Sequence, residues 1–200
     1  MPLPERQSLI FYTAALLAVL VLAALTNFGW SEEGIRMVVR LTAKTALLLF
    51  CTAFSASALQ ALFPSPAFAR LKRNRRYIGL SFSLALGIHL AALIVLGLEF
   101  PNPFVDDLDA FALAGGALAY VFTFAMAATS NDAAVAWLGP RRWHRLHLIG
   151  GWYIWIVFAQ SYLPRAIFDD PTYIYLAIVT LLVPGLRIAR WRSARAASRS

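Results

Sequence analysis

The side chains in this chain that could do chemistry are few and placed at the ends of apolar runs. His147 stands at the mouth of one such run, behind a basic, aromatic entry (Arg141, Arg142, Trp143, His144, Arg145), with Gly150 and Gly151 one turn on and Gln160 far along it. A histidine at the start of an apolar helix can present one axial nitrogen to an iron macrocycle, and the two missing side chains would let a flat ring lie against the backbone. The stretch 129–163 therefore reads as a haem helix. His89 is the one side chain in the apolar run 77–98 that titrates near neutral pH. Taken alone, each histidine has a blander reading as a hydrogen-bonded packing residue. His144 shares a helix face with His147 and could join Asp132 in holding a metal ion, but no third strong ligand stands at helical spacing. An interfacial anchor is the preferred reading of His144, while Trp137, Trp143, Trp152, Tyr153 and Trp155 are read as forming the interface belt and lining the fifth helix.

The elements that must position these residues follow from composition. Of 200 residues, 60% are hydrophobic and 14% charged, more apolar surface than a small soluble core can hide. The chain reads as an integral membrane protein, all-α, with a single transmembrane domain. Its net charge of +8 sits in short basic clusters between apolar runs, the distribution of orientation signals, so nucleic-acid binding is disfavoured. Cys51 is the only cysteine, which excludes an intrachain disulfide, a CxxC redox pair and a thiolate-ligated cluster, and it reads as a small buried hydrophobe.

Six helices are expected, at about 9–26, 36–63, 77–98, 110–130, 145–163 and 172–190, with 191–200 a basic tail. The first is read as an uncleaved span rather than a signal peptide. Arg36, Arg40 and Lys44 recur on one face of the second, either reaching lipid phosphates or, for Arg40 or Lys44, turning inward to an acidic group such as a haem propionate. Basic residues fill the N-terminus, the loop 64–76, the loop 129–145 and the tail. Acids fill the loops 99–109 and 164–171. Alternate loops of opposite bias give six spans with both termini in the cytoplasm. Gly115 and Gly116 permit close helix packing in the fourth span, and Pro184 weakens or kinks the sixth.

That topology sets depths. Helices 3 and 5 run the same way, with Arg76 and His147 level near the cytoplasmic face. His89 and Gln160 each lie thirteen residues further, roughly 20 Å of rise, near the outer face. Two imidazole nitrogens must each come within about 2 Å of one iron, so two separate one-histidine sites follow. At the inner site Arg76 cannot ligate but can pair with a propionate.

The segments RLTAKTALLLF, RNRRYIGLSFSLALGIHLAAL and TSNDAAVAWLGPRRWHRLHLIGGWYIWIVFAQSYL carry a resemblance. They look like the haem-binding membrane subunit of the bacterial periplasmic methionine sulfoxide reductase system, in the ferric reductase-like transmembrane superfamily. The resemblance implies a six-helix bundle holding b-type haem, one or two, and passing electrons from a quinol or flavin-reductase donor to a periplasmic oxidoreductase partner. His89 and His147 match the family's ligand positions. Where the family has a second histidine on the fifth helix, this chain has Gln160, a poor iron ligand, so the site at His89 would be five-coordinate, weakly six-coordinate or empty. Space at Gly150 and Gly151 makes His147 the expected firmer haem ligand.

Absent motifs narrow the role. No glycine-rich dinucleotide fingerprint or P-loop is present, so the chain does not by itself take a hydride from a nicotinamide. Quinone or flavin remains open at an accessory site, and the chain would be an electron-transfer subunit rather than a complete enzyme. The alternative is a haem-free relative acting as a membrane assembly or anchoring protein. A solute transporter is disfavoured by the lack of an evident inverted repeat and of acids within the spans.

Overall fold

A computed structural model describes residues 5–101 and 110–197, and these form helices joined by short turns, with no strand among them. Asp106, Asp107 and Asp109, which the charge argument uses, lie outside the described residues. Helix α1 is Glu5–Phe28 and α2 is Glu32–Leu62. Between them Gly29 adopts φ 71°, a left-handed value that suits glycine, and the chain turns so tightly that a side chain on Gly34 would strike the Gly29 carbonyl. Ser31 caps α2 by accepting the Gly34 N–H at 3.1 Å. With Glu32 and Glu33 in the first turn, this starts the helix earlier than expected, and Arg36 is held by Glu32 at 2.7 Å.

The basic segment 69–76, expected as a loop, is instead the start of α3, Pro66–Glu99. Ser65 accepts the Phe68 N–H at 3.3 Å and Pro66 sits at the first helical position, so the helix begins there and the arginines line its early turns. Helix α4 is Ala110–Ala128. A cap from Asn131 starts the short α5, Asp132–Leu138, bent by 107° from α4. Gly139, at φ 77°, turns the chain into α6, Pro140–Pro164, with Pro140 at its first position. A π turn, Arg165–Asp169, and a 3₁₀ turn, Pro171–Tyr173, lead to α7, Ile174–Ala197, so the expected basic tail is helical to Ala197. Asp170 accepts the Thr172 N–H at 2.9 Å, which holds its carboxyl below the usual carboxylate range.

Four helices among the described residues are long and apolar enough to cross a membrane, or five if the bent pair α4 and α5 is one span. The chain is thus a multi-pass helical membrane protein. The six-span expectation is not met on this criterion, because α6 does not qualify. Its Trp152, Tyr153, Trp155, Gln160 and Tyr162 dilute the apolar content of the run expected to form the fifth span.

Helix α2 packs along α3 and also touches α1 and α7, while α6 packs between α4 and α7. The core joins Leu17 of α1, Leu47, Phe50 and Cys51 of α2, Phe82 and Ala85 of α3, Phe158 and Tyr162 of α6 and Leu176 of α7. Phe50 is its hub, with ring centroids 5.1 Å from Phe54, 5.4 Å from Phe82 and 5.6 Å from Phe158. Cys51 is buried and free, as expected. Close helix approach occurs at Gly150 rather than Gly116: a Cβ on Gly150 would lie 3.1 Å from Phe122 and Met126, whereas Gly116 faces open space. The expected anchors also divide. Trp137 is exposed, but Tyr153 donates to the Gly115 carbonyl at 3.0 Å and Trp155 turns into the bundle.

Helix α7 continues through Pro184. Proline has no N–H, so the carbonyl four residues earlier, on Thr180, loses its helical donor. Trp155 Nε1–H of α6 donates to that carbonyl at 2.9 Å, while Thr180 is fully buried. The proline thus docks α7 onto α6. Trp155→Phe is expected to lower stability by about 1–2 kcal/mol in detergent unfolding, by stranding a buried carbonyl. Pro184→Ala, which restores the missing N–H, should remove most of that loss in the double variant. Additive effects of the two substitutions would break the link.

Candidate functional site

The two histidines assigned to chemistry lie at different levels of the bundle. Around His147, residues of α2, α3, α4, α5, α6 and α7 line a cavity of about 490 Å³. Its apolar wall includes Phe50, Phe54, Phe82 and Met126, and its polar lining includes Arg75, Arg76, Asp132, His144, His147 and Arg187. Arg76 and His147, expected at one level from their positions along α3 and α6, both line this cavity. His89 lies roughly 20 Å further along α3 and does not line this cavity.

Charge in the cavity is one-sided. Arg76 pairs with the exposed Asp132 at 3.3 Å. Arg75 donates to Ser57 Oγ at 2.8 Å. Arg187 donates to the Phe54 carbonyl at 3.0 Å, with its guanidinium 4.0 Å from the Phe54 ring and 5.4 Å from that of Trp152. Neutral oxygens and ring faces orient Arg75 and Arg187 without cancelling their charge, which favours an anionic guest. Neither residue was singled out as a site residue from the sequence. Arg75 lay in the basic segment read as a loop and Arg187 in the stretch read as an orientation signal, and only packing brings α7 beside α2 and α3.

At His147 the ring stacks on Trp143 at 4.1 Å, and Nε2 lies 3.3 Å from Thr129 Oγ1. The Thr129 hydroxyl already donates to the Ala125 carbonyl at 2.7 Å, so it accepts from His147 Nε2–H. The room expected at the two glycines is taken by side chains. Gly150 faces Phe122 and Met126, and a Cβ on Gly151 would lie 2.6 Å from Phe54. Glycine here admits aromatic rings of the protein, although Gly151 also lines the cavity. The open space expected beside His147 is therefore filled.

His89 has a different environment. Its Nδ1 lies 3.0 Å from the Val39 carbonyl and 3.3 Å from Thr42 Oγ1, both on α2, and its ring is stacked near Tyr120 of α4, 6.5 Å between centroids. A carbonyl only accepts, so Nδ1 carries the proton and Nε2 keeps its lone pair. This is the arrangement in which a metal-ligating histidine is usually held. Gln160 is exposed on α6, and among the described residues no hydrogen bond joins it to His89. Of the charged side chains on α2, Lys44 sits 4.5 Å over the Tyr173 ring, Arg40 is exposed and Arg36 is paired with Glu32.

Among the described residues no group of three or more His, Cys, Asp or Glu could hold a metal ion by itself. A haem iron needs axial nitrogens and its propionates need cations; the Nδ1-held imidazole of His89 suits the first need and the arginines lining the cavity at His147 suit the second.

No model of a known protein family matches the chain, and no solved structure matches it. It is similar to the protein-methionine-sulfoxide reductase heme-binding subunit MsrQ of Polaromonas naphthalenivorans (strain CJ2), with 27% identity over 207 aligned residues that cover 96% of this chain and 88% of that one.

Proposed function

We propose that the chain is a b-type haem membrane subunit of the ferric reductase-like class. It would carry electrons across a bacterial inner membrane from a quinol or flavin-reductase donor to a periplasmic oxidoreductase. The observation that carries this reading is the cavity in which His147 meets Arg75, Arg76 and Arg187 against an apolar wall, with the His89 imidazole held through Nδ1 by the Val39 carbonyl at another depth of the same bundle. The near full-length similarity to a heme-binding subunit supports it. Six spans, counting α6, with both termini cytoplasmic, agree with the loop charges. At 25 residues α6 is about 37 Å long, enough to cross.

Bound haem would supply one-electron storage and release. The chain's own part is to place the ligands, neutralise the propionates and exclude water. Arg75, Arg76 and Arg187 provide the positive lining for propionates at the His147 end. Phe50, Phe54 and Phe82 keep that wall dry. At His89 the Val39 carbonyl orients the imidazole. The Nε2 of His147 must leave Thr129 before it can ligate, a weak hold at 3.3 Å. That hold also favours a second use of the same cavity, as the accessory site for an anionic flavin or a quinone on the donor side.

Detergent-purified protein is expected to show a Soret band with sharp bands on reduction. A featureless visible spectrum would leave the assembly or anchoring role. His89→Ala should lower haem per protein more than His147→Ala, because only His89 presents Nε2 unengaged; the opposite order would contradict this geometry.

With Gln160 where a second imidazole would stand, reduced protein is expected to bind carbon monoxide. Gln160→His should suppress that binding, and only while His89 is present. Binding that Gln160→His does not alter would put residue 160 away from the iron. Reporter fusions after Asp107 and after Asp132 should report opposite compartments; agreement between them would rule out the six-span topology.

A further inference from the structure

Thr42 has no role in the reading above, yet its surroundings are unusual. It is fully buried on α2, and its hydroxyl donates to the Val38 carbonyl at 2.7 Å, so toward His89 Nδ1, 3.3 Å away, it can only accept. One turn of α2 therefore offers Nδ1 two acceptors, the Val39 carbonyl at 3.0 Å and the Thr42 hydroxyl oxygen. A serine or threonine whose proton is already spent on its own helix is a directional acceptor, because its remaining lone pairs point away from that helix. Tyr120 of α4 lies near the imidazole, its ring inclined 25° to it with the centroids 6.5 Å apart.

We infer that Thr42 is a positioning residue. Together with the Val39 carbonyl it fixes His89 as the Nδ1–H tautomer, rotated so that Nε2 is the one nitrogen available to a metal. The inference rests on the proposed haem role of His89, but its first consequence concerns the imidazole alone. A hydrogen bond donated by Nδ1 also raises the basicity of Nε2, which favours the ferric over the ferrous state of a bound iron. Thr42 thereby becomes a determinant of midpoint potential that makes no contact with the iron.

The test uses the full chain in detergent, labelled with ¹⁵N-histidine, with the His89 signals assigned by their loss in His89→Gln. In haem-free wild type, His89 is expected to show a protonated Nδ1 and an unprotonated Nε2. Thr42→Val keeps the shape and removes the acceptor, and should give a mixture of tautomers; Thr42→Ser should restore the single form. In haem-loaded protein, Thr42→Val should move the midpoint potential of the His89 site positive, with Thr42→Ser close to wild type. A wild-type Nε2–H tautomer, or a Thr42→Val protein with tautomer and potential both unchanged, overturns the inference. Failure of the wild type to take up haem would overturn the proposed function instead, and the tautomer measurement would still decide the role of Thr42.

Discussion

In an apolar bundle polar groups must find their partners inside the protein, and this constraint organises the described residues, with Gln60 Oε1 and Ser81 Oγ buried without a hydrogen bond as exceptions. The hydroxyls of Thr13, Thr45, Ser55 and Thr123 donate to carbonyls four residues back on their own helices. Where the helix cannot satisfy itself, a neighbour does. Trp155 fills the carbonyl freed by Pro184, and Tyr153 reaches the Gly115 carbonyl. Arg187 reaches the Phe54 carbonyl, and His89 that of Val39. Each such bond crosses between helices, so satisfying the backbone and fixing the packing are one event. Burial of Phe50, Phe82 and Phe158 supplies close contact, but apolar contact alone is poorly directional, and these bonds set which faces meet.

The same constraint separates the two histidines. A neutral imidazole has one donor and one acceptor nitrogen, so spending the donor decides which nitrogen is left. His89 spends Nδ1–H on α2 and keeps Nε2, whereas His147 turns Nε2–H to Thr129. One fold thus holds one imidazole ready to ligate and another engaged beside a basic cavity.

The cavity shows how charge is kept near an apolar environment. Aromatic faces and neutral oxygens hold Arg75 and Arg187 in place, and Asp132 answers only Arg76. A guanidinium tolerates this because its charge is delocalised and its planar face stacks on rings. The remaining positive potential gives the cavity a preference for anions that no single residue encodes.

The sequence by itself determined the class of protein, its helical content, and the spacing of Arg76 from His89 and of His147 from Gln160 along their helices. These follow from apolar run length, charge placement and a fixed rise per residue, all local properties. Helix limits were less legible: the segments 69–76 and 191–197 read as loop and tail from their charge, yet Ser65 and Pro66 start one helix early and α7 runs on to Ala197. Gly150 and Gly151 illustrate the remaining gap. A glycine announces that something comes close, and only the packing of α6 against α2 and α4 decided that it is Phe54, Phe122 and Met126. The convergence of Arg187 on Arg75 and the acceptor pair at His89 were likewise set by the tertiary structure, because they join residues far apart in the chain whose meeting depends on how helices rotate against one another.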